Sequence, residues 1–366
     1  MNIFGALYGI IFLLLAIYTF GFVDGNLTLS THSLYVQFHE PLKHLVFGTR
    51  PVAGILYGGI VAVLWILYAA ALRTKALRWS KGTIVCLLLI LLLSFPAFSY
   101  DIFNYIATSR VTFHYGENPW LVMPIEIPNE PMLAYTRAAN KLALYGPSWI
   151  LMTGVPYIVG MGNIWATIIA MKVMIAVFFI GIAWLIYRQT KRREDVWYFV
   201  LNPLVLIEVL VSGHNDVFMM FLALGGLVLV AKKDMASKVL GWISWGASVL
   251  VKGATVVLVP VLLMKDPLSA KSLRISYWLL FVVFLVSPLR EEMYPWYALW
   301  LVPFAAFLTK DRFIRGFTLA LTLGLSFRHL HYIYTGEYGG SGPLYRSLVT
   351  AVPVLLYLVW YKFRNK

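Results

Sequence analysis

Apolar stretches recur along nearly the whole chain and the charged residues crowd into the gaps between them, which leaves a water-soluble fold too little polar surface to build. Of 366 residues, 60% are hydrophobic and 13% charged, against about 45–50% and about 25% in soluble domains. A helix crossing a bilayer needs about 20 mainly apolar residues, and the backbone is satisfied in lipid only by helices or closed barrels. Twelve stretches qualify or come close: 3–23, 51–72, 82–98, 164–187, 196–211, 215–231, 239–251, 254–264, 272–288, 296–309, 313–333 and 345–361. The sequence thus predicts an all-α polytopic bundle of about 12 spans, with 1–366 as one integral membrane domain. The stretch 239–264 is divided because Lys252-Gly253 at its middle would otherwise put an ammonium near the bilayer centre, at about 2.5–3.5 kcal/mol. The first stretch has no basic leader and no small-residue cleavage site, so it reads as a retained span.

The net charge of +14 would fit a nucleic-acid partner if the basic residues formed one face. They fall instead in every second loop: Arg73, Lys75, Arg78 and Lys81; Arg188 to Arg193; Lys232, Lys233 and Lys238; Lys265, Lys271 and Arg274; Lys310, Arg312 and Arg315; Lys362, Arg364 and Lys366. These loops hold 20 of the 30 basic residues against five acids, and the remainder holds ten against eleven. Cytoplasmic loops concentrate Lys and Arg, so the alternation predicts a protein of the plasma membrane with both termini cytoplasmic, and no nucleic acid is needed to explain the charge. The lone Cys86 excludes an intrachain disulfide and any CxxC metal or redox site.

Two external segments are too long for simple turns, 24–50 and 99–163, and function is expected there. The second contains 148–160, apolar but too short for a comfortable span, and it reads as a re-entrant or interfacial helix. The polar and ionisable groups near membrane depth gather on this outer side, where they are costly and therefore candidates for function. The richest stretch runs from Ser99 to Arg110. As a helix it would line Asp101, Asn104, Tyr105 and Thr108 on one face. A carboxylate there can accept a proton from a hydroxyl at the membrane surface; the same residues also suit an ordinary helix start, with Ser99 as cap and Asp101 on the helix dipole. His214-x-Asp216 and His329-x-His331 lack the spacing that puts two ligands on one metal, and no metal site is expected. Lys172, inside the fourth stretch, finds no assignment beyond a structural partner such as Glu208.

Taken in order, Ser-Tyr-Asp-Ile-Phe-Asn-Tyr at 99–105, Gly-Glu-Asn-Pro-Trp at 116–120, Tyr-Gly-Pro at 145–147, Gly-His-Asn-Asp at 213–216, Leu-Val-Lys-Gly-Ala at 250–254 and Pro-Trp-Tyr at 295–297 resemble the GT-C superfamily of membrane glycosyltransferases. The closest resemblance is to bacterial polyprenyl-phosphomannose-dependent α-mannosyltransferases, and it covers roughly 94–305. Trp120 and Gly253 stand where such enzymes often carry Tyr and Pro. The resemblance implies an inverting enzyme moving a sugar, mannose in the nearest relatives, from a polyprenyl-phosphate donor to a lipid-linked or glycan hydroxyl on the outer face. It makes Asp101 the general base by motif. Such transfer needs cations on the departing phosphate, which fixed Lys or Arg supply without a cofactor; Lys252, Arg328 and His214 are the candidates. Asn104, Tyr105, Glu117, Asn118, Tyr145, Asn215, Asp216, Trp296 and Tyr297 are expected to bind substrate, although Trp296 also suits an interfacial aromatic belt. The expected partners are a lipid-linked sugar, a lipid or glycan acceptor and membrane lipids. The rival reading is a transporter or flippase of lipid-linked sugars, which usually shows repeated halves with ionisable groups at the midplane; neither is visible in this chain.

Overall fold

Capping side chains and prolines set where the helices begin and stop. The computed structural model describes residues 3–23, 29–74, 81–289 and 292–364, and every regular element among them is helical. Lys75, Arg78, Lys366, Arg290, Glu291 and the side chain of Lys81 lie outside the described residues. Asn163 opens the helix Ile164–Thr190 by accepting the Ala166 N–H at 3.0 Å. Asp234 does the same for Met235–Lys252 through the Ser237 N–H at 2.8 Å, and Asp311 for Arg312–Ser326 through Phe313 and Ile314, both at 3.1 Å. Each such cap is worth about 1 kcal/mol. This explains why acids persist in loops otherwise dominated by Lys and Arg.

Among the described residues, five helices are long and apolar enough to cross a membrane: Ile3–Phe20, Arg50–Thr74, Ile164–Thr190, Ala270–Leu289 and Gly342–Arg364. Pro203–Val211 and Asp216–Val230 add a sixth if counted as one span. The expected twelve are therefore not reproduced as long helices. The stretch at 82–98 is helical only over Lys81–Leu92. Those at 254–264 and 296–309 become the 3-10 segments Ala254–Leu258 and Pro295–Trp300, each followed by a short helix begun with proline at its first turn. The stretch at 313–333 breaks between Arg312–Ser326 and Leu330–Thr335. Leu299, Leu301, Val302, Phe304 and Ala305 are all buried, so this apolar run is spent on protein packing, which hydropathy alone cannot tell from lipid contact. Ile164–Thr190 shows the other case: Val173, Val177, Ile180 and Trp184 form an exposed apolar stripe along one helical face, a surface suited to lipid.

The chain builds two compact units, one from 1–98, 193–212 and 309–366, the other from 99–192 and 213–308. In the first, buried tyrosines tie helices to distant carbonyls: Tyr57 donates to Ser326 O at 2.8 Å, Tyr68 to Tyr198 O at 2.6 Å and Tyr198 to Arg315 O at 2.9 Å. Asn202 Nδ2 donates to Thr322 Oγ1 at 3.2 Å.

In the second, Asp216–Val230 and Met235–Lys252 form a helical hairpin of close approach. A Cβ on Gly241 would come within 2.9 Å of Gly226 O, and one on Gly226 within 2.9 Å of Gly241 O, so glycine at both positions lets the backbones meet. Ser244 and Ser248 hydroxyls donate across the hairpin to Leu222 O and Met219 O, both at 2.8 Å. The helix ends at Lys252 because Gly253 takes φ 76°, a left-handed conformation that glycine adopts without steric cost. The hairpin consequently sets the first residue of one helix, Asp216, beside the last residue of the other, Lys252.

Candidate active site

Asp101 opens the helix Asp101–Phe113, with the Ser99 hydroxyl accepting its backbone N–H at 3.1 Å. The polar face expected from the spacing is present. Asn104 Oδ1 accepts from the Thr136 hydroxyl. The buried Tyr105 donates its hydroxyl to Asp101 Oδ2 at 3.5 Å and accepts the Asn215 N–H at 3.3 Å. Its ring is wedged edge-on against Tyr145 at 4.7 Å and Trp149 at 4.9 Å.

The segment 213–216 closes over this face, turned by Gly213 at φ 79°. His214 and Asp216, two residues apart, point to different partners. His214 is fully buried, and its Nδ1 lies 3.3 Å from Asp101 Oδ2, while the Asp101 side chain keeps 19% exposure. The imidazole is stacked on Trp296 with centroids 4.0 Å apart and planes at 17°, and Trp296 on Tyr294 at 4.4 Å and 8°. Three rings thus form one column ending at the carboxylate.

Asp216 is buried with both oxygens engaged, Oδ2 by Lys252 Nζ at 2.6 Å and Oδ1 by Trp300 Nε1 at 2.7 Å. The Lys252 side chain is 13% exposed, with its ammonium 5.8 Å from the Tyr297 ring centre and 6.0 Å from that of Tyr145. The 3-10 form of Pro295–Trp300 explains the aromatic arrangement, since residues i and i+3 nearly eclipse there: Tyr297 stacks on Trp300 at 4.5 Å. Tyr145 is fixed from its other side. Gly146 donates its N–H to Val251 O at 2.9 Å, and a Cβ at 146 would fall 2.1 Å from Leu250 O, so only glycine lets this strap lie on the end of the lysine helix.

Burial alone would push the Asp101 carboxyl up. The hydrogen bonds from His214 and Tyr145 and the charges of His214 and Lys252 outweigh it and hold the group below the usual carboxylate range. The site therefore offers an ionised, partly exposed carboxylate, a lysine held on a buried carboxylate, and several aromatic faces. It also contains unsatisfied polar groups: the Asn215 side-chain amide and Trp149 Nε1 are buried without a hydrogen-bond partner, a condition native proteins rarely tolerate away from water or ligand.

Asp101, Asn104, Tyr105, Tyr145, His214, Asn215, Asp216, Lys252, Trp296 and Tyr297 all belong to this one unit. His214, grouped from sequence with the phosphate-holding cations, is placed against Asp101 instead. Glu117 and Asn118 sit on an exposed turn, where Asn118 Oδ1 accepts the Trp120 N–H at 3.0 Å and Trp120 Nε1 donates to Tyr145 O at 3.2 Å. Arg328 belongs to the other unit, and its Nη1 donates to Arg346 O at 3.0 Å and Thr350 Oγ1 at 3.1 Å, fastening the last helix. Trp300, Tyr294 and Trp149 were not among the expected site residues. The spacing of Trp300 and Tyr294 from Tyr297 signals their contact only once the segment is known to be 3-10. Among the described residues, no three His, Cys, Asp or Glu side chains gather as a metal site.

Residues 3–265 match the family described as alpha-(1->6)-mannopyranosyltransferase, N-terminal domain. Among curated proteins the chain is similar to alpha-(1->6)-mannopyranosyltransferase A of Mycobacterium tuberculosis, 29% identical over 191 residues, which is 48% of this chain and 35% of the relative. The match thus spans far less than the relative's full length. No solved structure matches the chain.

Proposed function

The chain belongs to the alpha-(1->6)-mannopyranosyltransferase family, and from that premise we propose that it is an inverting mannosyltransferase that uses a polyprenyl-phosphate donor and glycosylates a hydroxyl of a lipid-linked or glycan acceptor at the outer membrane face. In this reading the acceptor oxygen attacks the anomeric carbon from the face opposite the phosphate. The hydroxyl proton passes to the Asp101 carboxylate, and the carbon–oxygen bond to phosphate breaks with its electron pair leaving on the phosphate oxygen. Asp101 acts as general base, a contribution of about 10²–10⁴-fold in rate. Lys252 stabilises the leaving phosphate. An ammonium has three donors, so the bond to Asp216 leaves others for the ligand, and Asp216 with Trp300 aims it.

The observation that carries the reading is the convergence, in one unit, of an ionised and partly exposed Asp101 with Lys252 between the aromatic rings of Tyr145 and Tyr297. Aromatic faces beside hydrogen-bonding side chains suit a sugar ring, and the unpartnered Asn215 amide is the group expected to meet sugar hydroxyls. The alternation of basic loops supports an outward-facing site with both termini cytoplasmic. Asn118 and Arg328 are assigned no part in the chemistry, because the contacts above employ them in a turn and a helix anchor, and Glu117 is assigned none because its side chain stands exposed on that turn.

Transfer with purified protein and synthetic polyprenyl-phosphate sugars tests the reading. Polyprenyl-phosphomannose is expected to support turnover, and an uncharged lipid carrying the same sugar is not. A folded protein that turns over no donor would overturn it and favour transport of lipid-linked sugars.

A further inference from the structure

The contact between His214 and Asp101 has a direction fixed by chemistry. An ionised carboxylate only accepts hydrogen bonds, so the nitrogen facing it, Nδ1 at 3.3 Å from Oδ2, carries the hydrogen. The imidazole cannot choose its orientation freely, because it is fully buried and lies on Trp296, which lies in turn on Tyr294. The Asp101 side chain has no such packing: with 19% exposure it would rotate among rotamers if nothing held one oxygen. We infer that His214 is a positioning residue, whose Nδ1–H, aimed by the Trp296–Tyr294 column, holds the Asp101 carboxylate in the orientation that receives the acceptor proton.

The inference rests on the transferase reading above and adds to it a residue that acts through the base without touching the sugar. Phosphate binding by His214, the expectation from sequence, is replaced by this arrangement. The groups acting on Asp101 are Tyr105 from its own helix, Tyr145 from the strap before Pro147, His214 from the 213–216 turn and Lys252 from the end of its helix, while Asp216 in that turn acts on Tyr105 and Tyr145. Among the described residues, Tyr105, Tyr145 and His214 favour its ionised form by hydrogen bonding, and of these His214 is the one held in a stacked column.

Two variants separate the donor from the ring. His214→Asn keeps an N–H near the Nδ1 position and loses the stack; His214→Phe keeps a stacked ring and loses the N–H. We expect His214→Phe to lower kcat roughly 10- to 100-fold, as for loss of one hydrogen bond to a charged group, with the donor KM little changed. We expect His214→Asn to recover part of that loss, the remainder being what the stacked column contributes by aiming the N–H. The acid limb of the rate profile should move to higher pH in His214→Phe, because a donor that favours ionised Asp101 is gone, and should stay near the wild-type position in His214→Asn. Should His214→Phe retain wild-type kcat, or should both variants lose rate with an unmoved acid limb, the positioning assignment fails. A rise in donor KM with unchanged kcat would also overturn it and return His214 to the phosphate. An inactive but folded wild type would bring down the transferase reading itself, which active wild type with unaffected variants would not.

Discussion

Among the described residues, one carboxylate–imidazole pair in each unit invites comparison, Asp101–His214 and Glu208–His329, and the two are built the opposite way round. In Asp101–His214 the imidazole is sealed and the carboxylate keeps 19% exposure. In Glu208–His329, joined at 3.1 Å, the carboxylate is sealed and the imidazole keeps 17%. Asp101 stands at the start of a helix, within the influence of Lys252. Glu208 lies in the π-helical segment Leu206–Val211, every residue of which is buried, and His329 is stacked on Phe98. A π-helical turn frequently marks a functional site, so local geometry alone would rank Glu208 first. Access decides otherwise, because a base has to reach the proton it removes. In the proposed function the same pair of groups thus serves reactivity in one place and cohesion in another, according to which partner faces the solvent.

The sharpest way to break this contrast is Asp101→Asn. Asparagine keeps the size, caps a helix about as well as Asp and still hydrogen-bonds, but it cannot take the proton. Mannosyl transfer should fall by about 100-fold or more, with the thermal midpoint in detergent near that of wild type. Near-normal turnover would reduce Asp101 to a helix-start residue and remove the distinction between the pairs.

Lys252 sharpens the comparison at the next level, since Asp101 has a cation nearby and Lys252 is itself paired. Breaking a buried ion pair by removing one partner costs about 3–5 kcal/mol, so Lys252→Met alone should lose both stability and affinity for a polyprenyl phosphate. The double variant Lys252→Met with Asp216→Leu removes both charges, and apolar replacement of a buried pair is often near neutral. It should regain part of the stability, less about 1–3 kcal/mol for the buried Trp300 N–H that loses Asp216 as acceptor, while the lipid phosphate stays weakly bound. Recovered phosphate binding in the double variant would show that Lys252 matters only for folding.

A smaller effect is expected in the pH dependence of the wild type. The Asp101 carboxyl is held below its usual range, and transfer needs it ionised, so the rate should be lost only as the pH falls through that lowered value. An acid limb above pH ~5, higher than an unperturbed carboxylate, would contradict the environment described for Asp101.

Much of this was legible in the sequence where a single residue dictates the backbone. The division of 239–264 at Lys252-Gly253 falls where the lysine helix stops, the short helix expected at 148–160 is Pro147–Gly160, and the spacing of Asp101, Asn104 and Tyr105 sets one polar face. The count of spans was not legible, because runs such as 296–309 are apolar for packing inside protein and are too irregular to cross lipid alone. The join of His214 to Asp101, more than a hundred positions apart, was hidden for a different reason. No local pattern encodes a tertiary contact, and the Trp296 that aims the ring reads from sequence as a membrane-interface residue. The partners of Arg328 were hidden in the same way: an arginine at the outer end of an apolar stretch suggests a phosphate, and no local pattern signals the carbonyl of Arg346 and the hydroxyl of Thr350 that its Nη1 meets.

The least disruptive test falls on the second pair. Glu208→Gln preserves volume and one carbonyl oxygen, so Gln can still accept a hydrogen from His329 Nε2 in a wholly buried site. If the pair serves cohesion, the loss should be that of a weakened buried hydrogen bond, about 1 kcal/mol, which in a chain of this size lowers the thermal midpoint by a few degrees, about 2–4 °C. Transfer measured well below that midpoint should stay within about threefold of wild type, because a pair that serves cohesion changes stability and leaves the rate of the folded protein nearly alone. The His329→Gln variant should behave alike, and the double variant should cost less than the sum of the two, as for residues that share one contact. A Glu208→Gln protein that keeps its midpoint but loses transfer as deeply as Asp101→Asn would reverse the argument: exposure would no longer separate the two pairs, and the π-helical carboxylate would have to be counted with the chemistry.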